Sequence, residues 1–420
     1  MKSFSLAFLL AITPLLFSLS LADENLKARV FMQKVDSSTA TIIVGIYFDN
    51  CRFDKGAGFY ATDFRGVASF SHAIFVDTLE LSNAHFNKLV YFDNGIFLKM
   101  VAADSADFAD STFFSDAQFE NRTTFNGAVF RQRVEFWSAV FHKNVRFWGS
   151  RFNGNAVFKE AVFDSTADFW SAQFSDSASF ENAIFRDYAS FQSARLPRYL
   201  DFSGVRHIEK ELDFTDCRPP TPEERCHIRL TNTDISKIRL RYLNVFTLDP
   251  DTSTTYEQQG SVYENLLSKL QQDGFSESYK ELDIEFKRFQ YSHSHGFFTA
   301  FLSIADNWWW NYGYNKERIL GWTLGIFLLF LVVTGFKLDH LVNDVYALDF
   351  LQERYRLAST ANRPRSGKVL YSLMYTATIF FGFTLDTNGL KPPTIWTIYI
   401  FVVYTIGLVC MGFVVNFIFK

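Results

Sequence analysis

Residues 123–147 read TTFNGAVFRQRVEFWSAVFHKNVRF, with Phe at 125, 130, 136, 141 and 147. The intervals alternate five, six, five, six. The same clock runs outward in both directions. From residue 70 to residue 202 it marks 25 positions, of which 22 are Phe and three are Leu81, Ala103 and Leu196. Counted backwards, it lands on Phe64, Phe59, Phe53 and Phe48. The unbroken centre comprises Phe108, Phe114, Phe119, Phe125, Phe130, Phe136, Phe141, Phe147, Phe152, Phe158, Phe163, Phe169, Phe174, Phe180, Phe185 and Phe191.

A small residue recurs two places before these rings, as at Ala73, Ala84, Ala106, Ala117, Ala128, Ala139, Ala161, Ala172 and Ala183. In an extended chain i and i+2 share a face, so the small residue and the Phe point the same way. An amphipathic helix needs apolar spacings of three and four, which the pattern never offers. A fixed period of this length indicates a solenoid, in which each unit buries its apolar side only against its neighbours. The rings then form an inward ladder, with small residues keeping the cross-section narrow.

The small-x-Phe unit resembles the pentapeptide-repeat family over residues 48–206. That resemblance implies an all-β fold, a right-handed quadrilateral β-helix with four units per coil. The six-residue step at every second unit makes each coil two Phe cycles long, twice eleven positions, and implies a longer turn at alternate corners. About seven coils at the ~4.8 Å strand spacing give a rod of roughly 34 Å. Residues 23–47 are expected to cap its start. Residues 207–250, where the clock falters, are expected to close its end, since an open last coil presents unpaired strand edges.

The outward positions carry any function. The formal net charge of the chain is −4, which gives no footprint for nucleic acid. Along the solenoid the charge is banded. Residues 77–120 hold eight acids and two bases, 122–159 one acid and seven bases, and 160–187 six acids and one base. The basic belt, with Arg131, Arg133, Lys143, Arg146 and Arg151, is a candidate docking surface for an acidic partner, against the alternative of ordinary solvated surface. His72, His85 and His142 are isolated. No nucleophile, phosphate loop or metal-ligand cluster is visible, so neither enzymatic activity nor a cofactor is expected.

The opening segment, 1–22, ends in Ser20-Leu21-Ala22 and has the form of a cleaved signal peptide. On that reading the solenoid is extracytoplasmic, and Cys217 and Cys226 face an oxidising compartment. A disulfide closing the loop RPPTPEER between them stands level with two free thiols. A metal site using His227 lacks further ligands.

Beyond residue 250 the period becomes helical. Val262, Leu266, Leu267 and Leu270 mark one helix; Leu282, Phe286 and Phe289 mark a second, in a linker over 256–295. Trp308, Trp309, Trp310, Tyr312 and Tyr314 form an interfacial belt within 296–318. Uncharged stretches at 319–336 and 394–419 are long enough to span a bilayer, placing the chain in the plasma or inner membrane. The linker, belt and spans resemble a group of bacterial membrane proteins in which pentapeptide repeats precede a module similar to the two-span potassium-channel pore. The resemblance implies a tetramer. It places Thr376 and Thr378 near the end of a pore helix, Gly382, Phe383 and Thr384 at the carbonyl-lined filter, and Asp386 at its exit. A cytoplasmic loop is expected over 337–368. Residues 369–393 then form either a re-entrant segment or a third span. Two functions remain open: an ion-conducting module with a solenoid attached, or a membrane anchor displaying a rigid interaction scaffold.

Overall fold

The computed structural model describes residues 30–249, 254–293, 297–346, 348, 365–382 and 395–419. They divide into two compact units, residues 1–286 and 287–420.

The first unit is a β-solenoid with four parallel sheets, here faces A to D, of eight, ten, seven and ten strands. The chain visits them in turn, for example Ile74–Phe75 on A, Leu79–Glu80 on B, His85–Phe86 on C and Val90–Tyr91 on D. Each strand pairs with its counterpart two Phe cycles further on, as in Phe53↔Phe75 and Phe86↔Phe108. Two cycles of the Phe clock thus make one coil, as the resemblance implied.

The longer turn does occur at alternate corners, but in the five-residue Phe steps and not in the six-residue ones. Between strands Ala68–Ser69 and Ile74–Phe75 the corner is 70–73, whereas between Ile74–Phe75 and Leu79–Glu80 it is only 76–78. At one kind of corner Phe is the last strand residue (Phe75), and at the other it is the first corner residue (Phe70). The Phe intervals are therefore displaced by one from the true corner lengths. Each long corner needs one residue in the left-handed region, and these recur every eleven positions: Thr39, Asn50, Ala61, His72, Asn83, Asn94, Ser105 and Asp116, all with φ between 50° and 63°. Such backbone suits Asn, Asp or Gly best, and an L-residue pays a steric cost there that the surrounding ladder must outweigh.

All four columns of rings are inside. Phe64, Phe86, Phe108, Phe130, Phe152 and Phe174 stack along face C, with centroids 4.5 Å apart at Phe64–Phe86 and 5.2 Å at Phe130–Phe152. Near-parallel rings at the strand spacing are the offset-stacked geometry that aromatic quadrupoles prefer. Ala73, Ala84, Ala106, Ala117 and Ala128 are fully buried beside them.

Among the described residues strands start at Val30, so residues 30–47 of the expected cap form a coil of the solenoid, with Val30↔Arg52 and Val35↔Ala57 in the same register. The clock does run back to Phe31, but passes through Ile42 and Ser37, which hides it. Strands continue to Leu248, giving ten layers on faces B and D in place of seven, a rod of roughly 48 Å on the same ~4.8 Å per coil. The final coils lose the clock because insertions enlarge them. Leu200 pairs with Ile228 and Leu212 with Ile238.

The end is closed by helices. Helix α1 (Tyr256–Gln272) begins with a capping box between Thr255 and Gln258. Helix α2 (Ser276–His293) follows the left-handed Gly274. Residues to Phe286 belong to the solenoid unit, so the sequence-read linker is in large part an end cap. One stripe of α2 takes up the amides of the last coil: Leu243 N donates to Ser278 Oγ (3.2 Å), Asn244 N to Glu281 Oε2 (3.0 Å) and Leu248 N to Glu285 Oε1 (3.2 Å). Glu285 also accepts from Tyr242 Oη (2.7 Å) and Tyr263 Oη (3.1 Å), and Arg225 pairs with Glu281. Desolvation raises the Glu285 carboxyl above its ordinary value, against the pull of these donors.

The second unit contains helices α3 (Phe297–Trp310), α4 (Arg318–His340), α5 (Arg365–Phe380) and α6 (Ile395–Phe419). Helix α4 continues through a π turn to Val345. Leu338, Leu341, Val342, Tyr375, Ile379, Phe380, Ile400 and Val403 form the core joining α4, α5 and α6.

Candidate interaction surface and membrane module

The outward strand positions give the rod two kinds of side. Face A shows Ile74, Ile96, Gln118, Val140, Val162 and Ile184; face D shows Tyr91, Phe113 and Val157 among polar residues. Faces B and C carry the charge, with Glu80, Arg146 and Asp168 on B and Asp63, His85, Asp107 and Arg151 on C.

The five cations of the basic belt do not share one face. Arg131 and Arg133 lie in the corner from C to D, Lys143 in the corner from A to B, Arg146 on B and Arg151 on C. Two of them have carboxylate partners. Arg131 holds Asp107 with two bonds, Nε–Oδ1 2.8 Å and Nη2–Oδ2 2.9 Å, and this bidentate pair keeps the Asp107 carboxyl below its usual range. Arg133 Nε lies 2.5 Å from Glu135 Oε1. Among the described residues Lys143, Arg146 and Arg151 carry no ion pair. Arg146 instead sits over the Trp148 ring, 4.7 Å from its centroid.

The sequence pattern does not single out Trp148 and Trp170, although each directly follows a ladder Phe and the two stand one coil apart. They occupy the corner between B and C, 39% and 48% exposed, with centroids 6.1 Å apart and planes at 68°. Trp137, equally exposed, stands in the corner between D and A.

Cys217 and Cys226 are both buried free thiols, so of the two alternatives it is the free thiols that occur. The Cys217 thiol donates to the Phe191 carbonyl at 2.9 Å, and burial pushes it well above its ordinary value. Among the described residues no group of His, Cys, Asp and Glu could hold a metal.

Two helices of the second unit are long and apolar enough to cross a membrane, Arg318–Val345 and Ile395–Asn416, with mean hydropathy 2.3 and 2.5. Helix α5 runs antiparallel to α4: Lys368 Nζ pairs with Asp339 Oδ2 at 3.1 Å near one end, and Phe380 packs on Phe327 at 5.6 Å near the other. Helix α6 also runs antiparallel to α4, with Trp396 against His340 at 6.2 Å and Tyr399 Oη donating to Phe330 O at 3.0 Å. Consecutive full spans must alternate in direction, but α5 and α6 run the same way. Helix α5 is also short: its 16 residues cover roughly 24 Å, less than the ~30 Å of a hydrocarbon core.

Gly407 lets α5 and α6 meet. A Cβ there would overlap the Phe380 carbonyl oxygen, whereas one at Gly412 would meet nothing within 4 Å. Gly407→Ala is expected to cost about 1–3 kcal/mol through overpacking, and Gly412→Ala to be neutral. Unfolding temperatures in detergent check the pair; equal values would remove the close contact.

Of the filter residues, Thr376 is buried and Thr378 is exposed, donating to Met374 O at 2.9 Å, so the two do not share a face. Gly382 follows the end of α5. Phe383, Thr384 and Asp386 lie outside the described residues, as do the expected signal peptide and residues 349–364 of the loop expected over 337–368, whose residues 337–345 and 365–368 are helical.

Residues 48–96 and 147–195 match the family model for pentapeptide repeats, in nine copies. These two segments are pentapeptide repeats, and they form part of the β-solenoid. No curated protein and no solved structure matches the chain. Within this pentapeptide-repeat solenoid the family signature accounts for the buried positions. It does not cover 97–146, where Arg131, Arg133, Lys143 and Arg146 stand.

Proposed function

We propose that the protein is a membrane-anchored scaffold, in which a rigid pentapeptide-repeat rod displays fixed columns of side chains to an acidic partner. The observation that carries this reading is the division of labour in the rod. Its Phe ladder is turned inward and holds the coils together, its outward strand positions take no part in that ladder, and three cations among the outward residues have no carboxylate partner among the described residues. The helices α4 and α6 supply the anchor, with the α3 tryptophans at the bilayer interface. After reconstitution into phosphatidylcholine vesicles, the chain is expected to resist carbonate extraction and to leave potassium and sodium leakage at the protein-free level. Release by carbonate sinks the anchor.

A second reading has one observation in its favour, the shared direction of α5 and α6. It supports α5 entering the membrane from the side where α4 ends and the chain returning to that side before α6 begins. Such a re-entrant arrangement is the geometry of a cation pore, and it would be assembled as an oligomer. Cation flux from the same vesicles, abolished by Gly382→Glu, would establish this reading and displace the first.

A further inference from the structure

We infer that face B and its two corners form a recognition site for an acidic protein segment that also carries an aromatic or aliphatic side chain, centred on Trp148 and Trp170. This deepens the scaffold reading and rests on it. Three cations stand on the same coil as Trp148: Arg146 on face B and over the Trp148 ring, Arg151 on the next strand, and Lys143 at the opposite corner of face B. None has an ion pair among the described residues, and the neighbouring carboxylate, Asp168, is engaged by the Trp170 amide at 3.0 Å. By contrast Arg131 and Arg133 are already neutralised at the far corner.

Exposed Trp and Arg side by side are the residue types that dominate binding energy at protein interfaces. The Arg146 guanidinium lies over Trp148, which fixes both without using the guanidinium's hydrogen-bond donors, so its fork remains available for a carboxylate. The ring geometry selects the class of partner. A polysaccharide or a stacked base needs flat aromatic platforms facing the ligand, whereas these two rings meet edge to face at 68° and offer no pair of coplanar platforms. Their exposed apolar surface suits an aromatic or aliphatic side chain of the partner, and the cations of the same coil suit its flanking carboxylates. The rod supports this without adjustment, because every residue involved is adjacent to a strand pinned on both sides by its coil neighbours.

The test uses the full chain in phosphatidylcholine nanodiscs at 150 mM salt (about physiological ionic strength) and a fluorescent random copolymer of Glu and Tyr as probe. Polyglutamate and heparin serve as charge-only and anionic-polysaccharide comparisons. The copolymer is expected to bind more tightly than either. Its affinity should fall at least tenfold in the double variant Trp148→Ala/Trp170→Ala and in the triple variant Lys143→Glu/Arg146→Glu/Arg151→Glu. Arg131→Glu/Arg133→Glu should change it less than twofold. Absence of copolymer binding overturns the inference. So does equal binding of polyglutamate or heparin, or indifference to both patch variants. All seven side chains are outside the ladder, and an unchanged thermal unfolding profile verifies that the variants fold. Membrane retention is measured in parallel, so failure here with the anchor intact is distinguished from failure of the anchored-scaffold reading.

Discussion

Phe114→Ala is expected to destabilise the solenoid by about 3–5 kcal/mol, while Phe113→Ala, one residue away, costs less than about 1 kcal/mol. Phe114 is fully buried, stacked on Phe92 at 4.9 Å and on Phe136 at 4.8 Å, with Phe125 edge-on at 5.7 Å. Removing it opens a cavity in a column whose neighbours are held by backbone pairing and cannot collapse into the gap. Phe113 points outward from the same strand and stacks only on Tyr91, at 5.1 Å. Because each coil touches only the next, the loss should be local before it becomes global. Hydrogen exchange should show lost protection in the coils from Phe92 to Phe136, with the outer coils affected less. Similar effects from the two substitutions would mean that the assignment of inward and outward positions is wrong.

The second large effect is expected at the end cap. Glu285→Ala removes the acceptor of the buried Tyr242 hydroxyl, at about 1–3 kcal/mol, together with one acceptor of Tyr263 Oη. Relief of the desolvated carboxylate offsets part of this, so the net loss should be roughly 1–2 kcal/mol. The Leu248 amide keeps a partner, since it also donates to Tyr242 Oη at 2.7 Å. The docked carboxyl has its pKa raised, so the docked state binds the proton more tightly than the unfolded chain. Its contribution is therefore greatest at low pH and declines as pH rises through the raised value. Arg225, Glu281, Tyr242 and Tyr263 face the same carboxyl or its neighbour, and Glu285→Gln isolates its share. Protection factors for the Leu248 amide should fall from pH 5 to pH 8 in the natural chain and fall less in Glu285→Gln. An identical pH profile for the two would exclude Glu285 as the titrating group.

Much of this architecture follows from local sequence alone. Alternating five- and six-residue Phe steps with a small residue two places earlier specify an extended chain and an inward ladder, because side-chain direction alternates along a strand, while the coil of four units is what the resemblance to pentapeptide repeats implied. The two long apolar helices are equally local, a matter of length and composition. What depends on through-space neighbours could not be read that way. The clock gave the repeat but not the corner that carries the extra residue, since Phe70 and Phe75 stand at different places relative to their strands. It missed the first coil, where Ile42 and Ser37 take the Phe positions. The basic belt is contiguous in sequence yet wraps round the rod, because successive turns send neighbours such as Arg133 and Lys143 to opposite corners. Only the fold pairs Arg131 with Asp107, sets Arg146 over Trp148, and leaves Lys143 and Arg151 without an ion pair among the described residues. Likewise only packing decides that α5 and α6 run in the same direction, because hydropathy measures how apolar a segment is and carries no record of which end meets which. The period of the chain thus determined the rod, and the contacts between residues one or more coils apart decided which of its surfaces is available for binding.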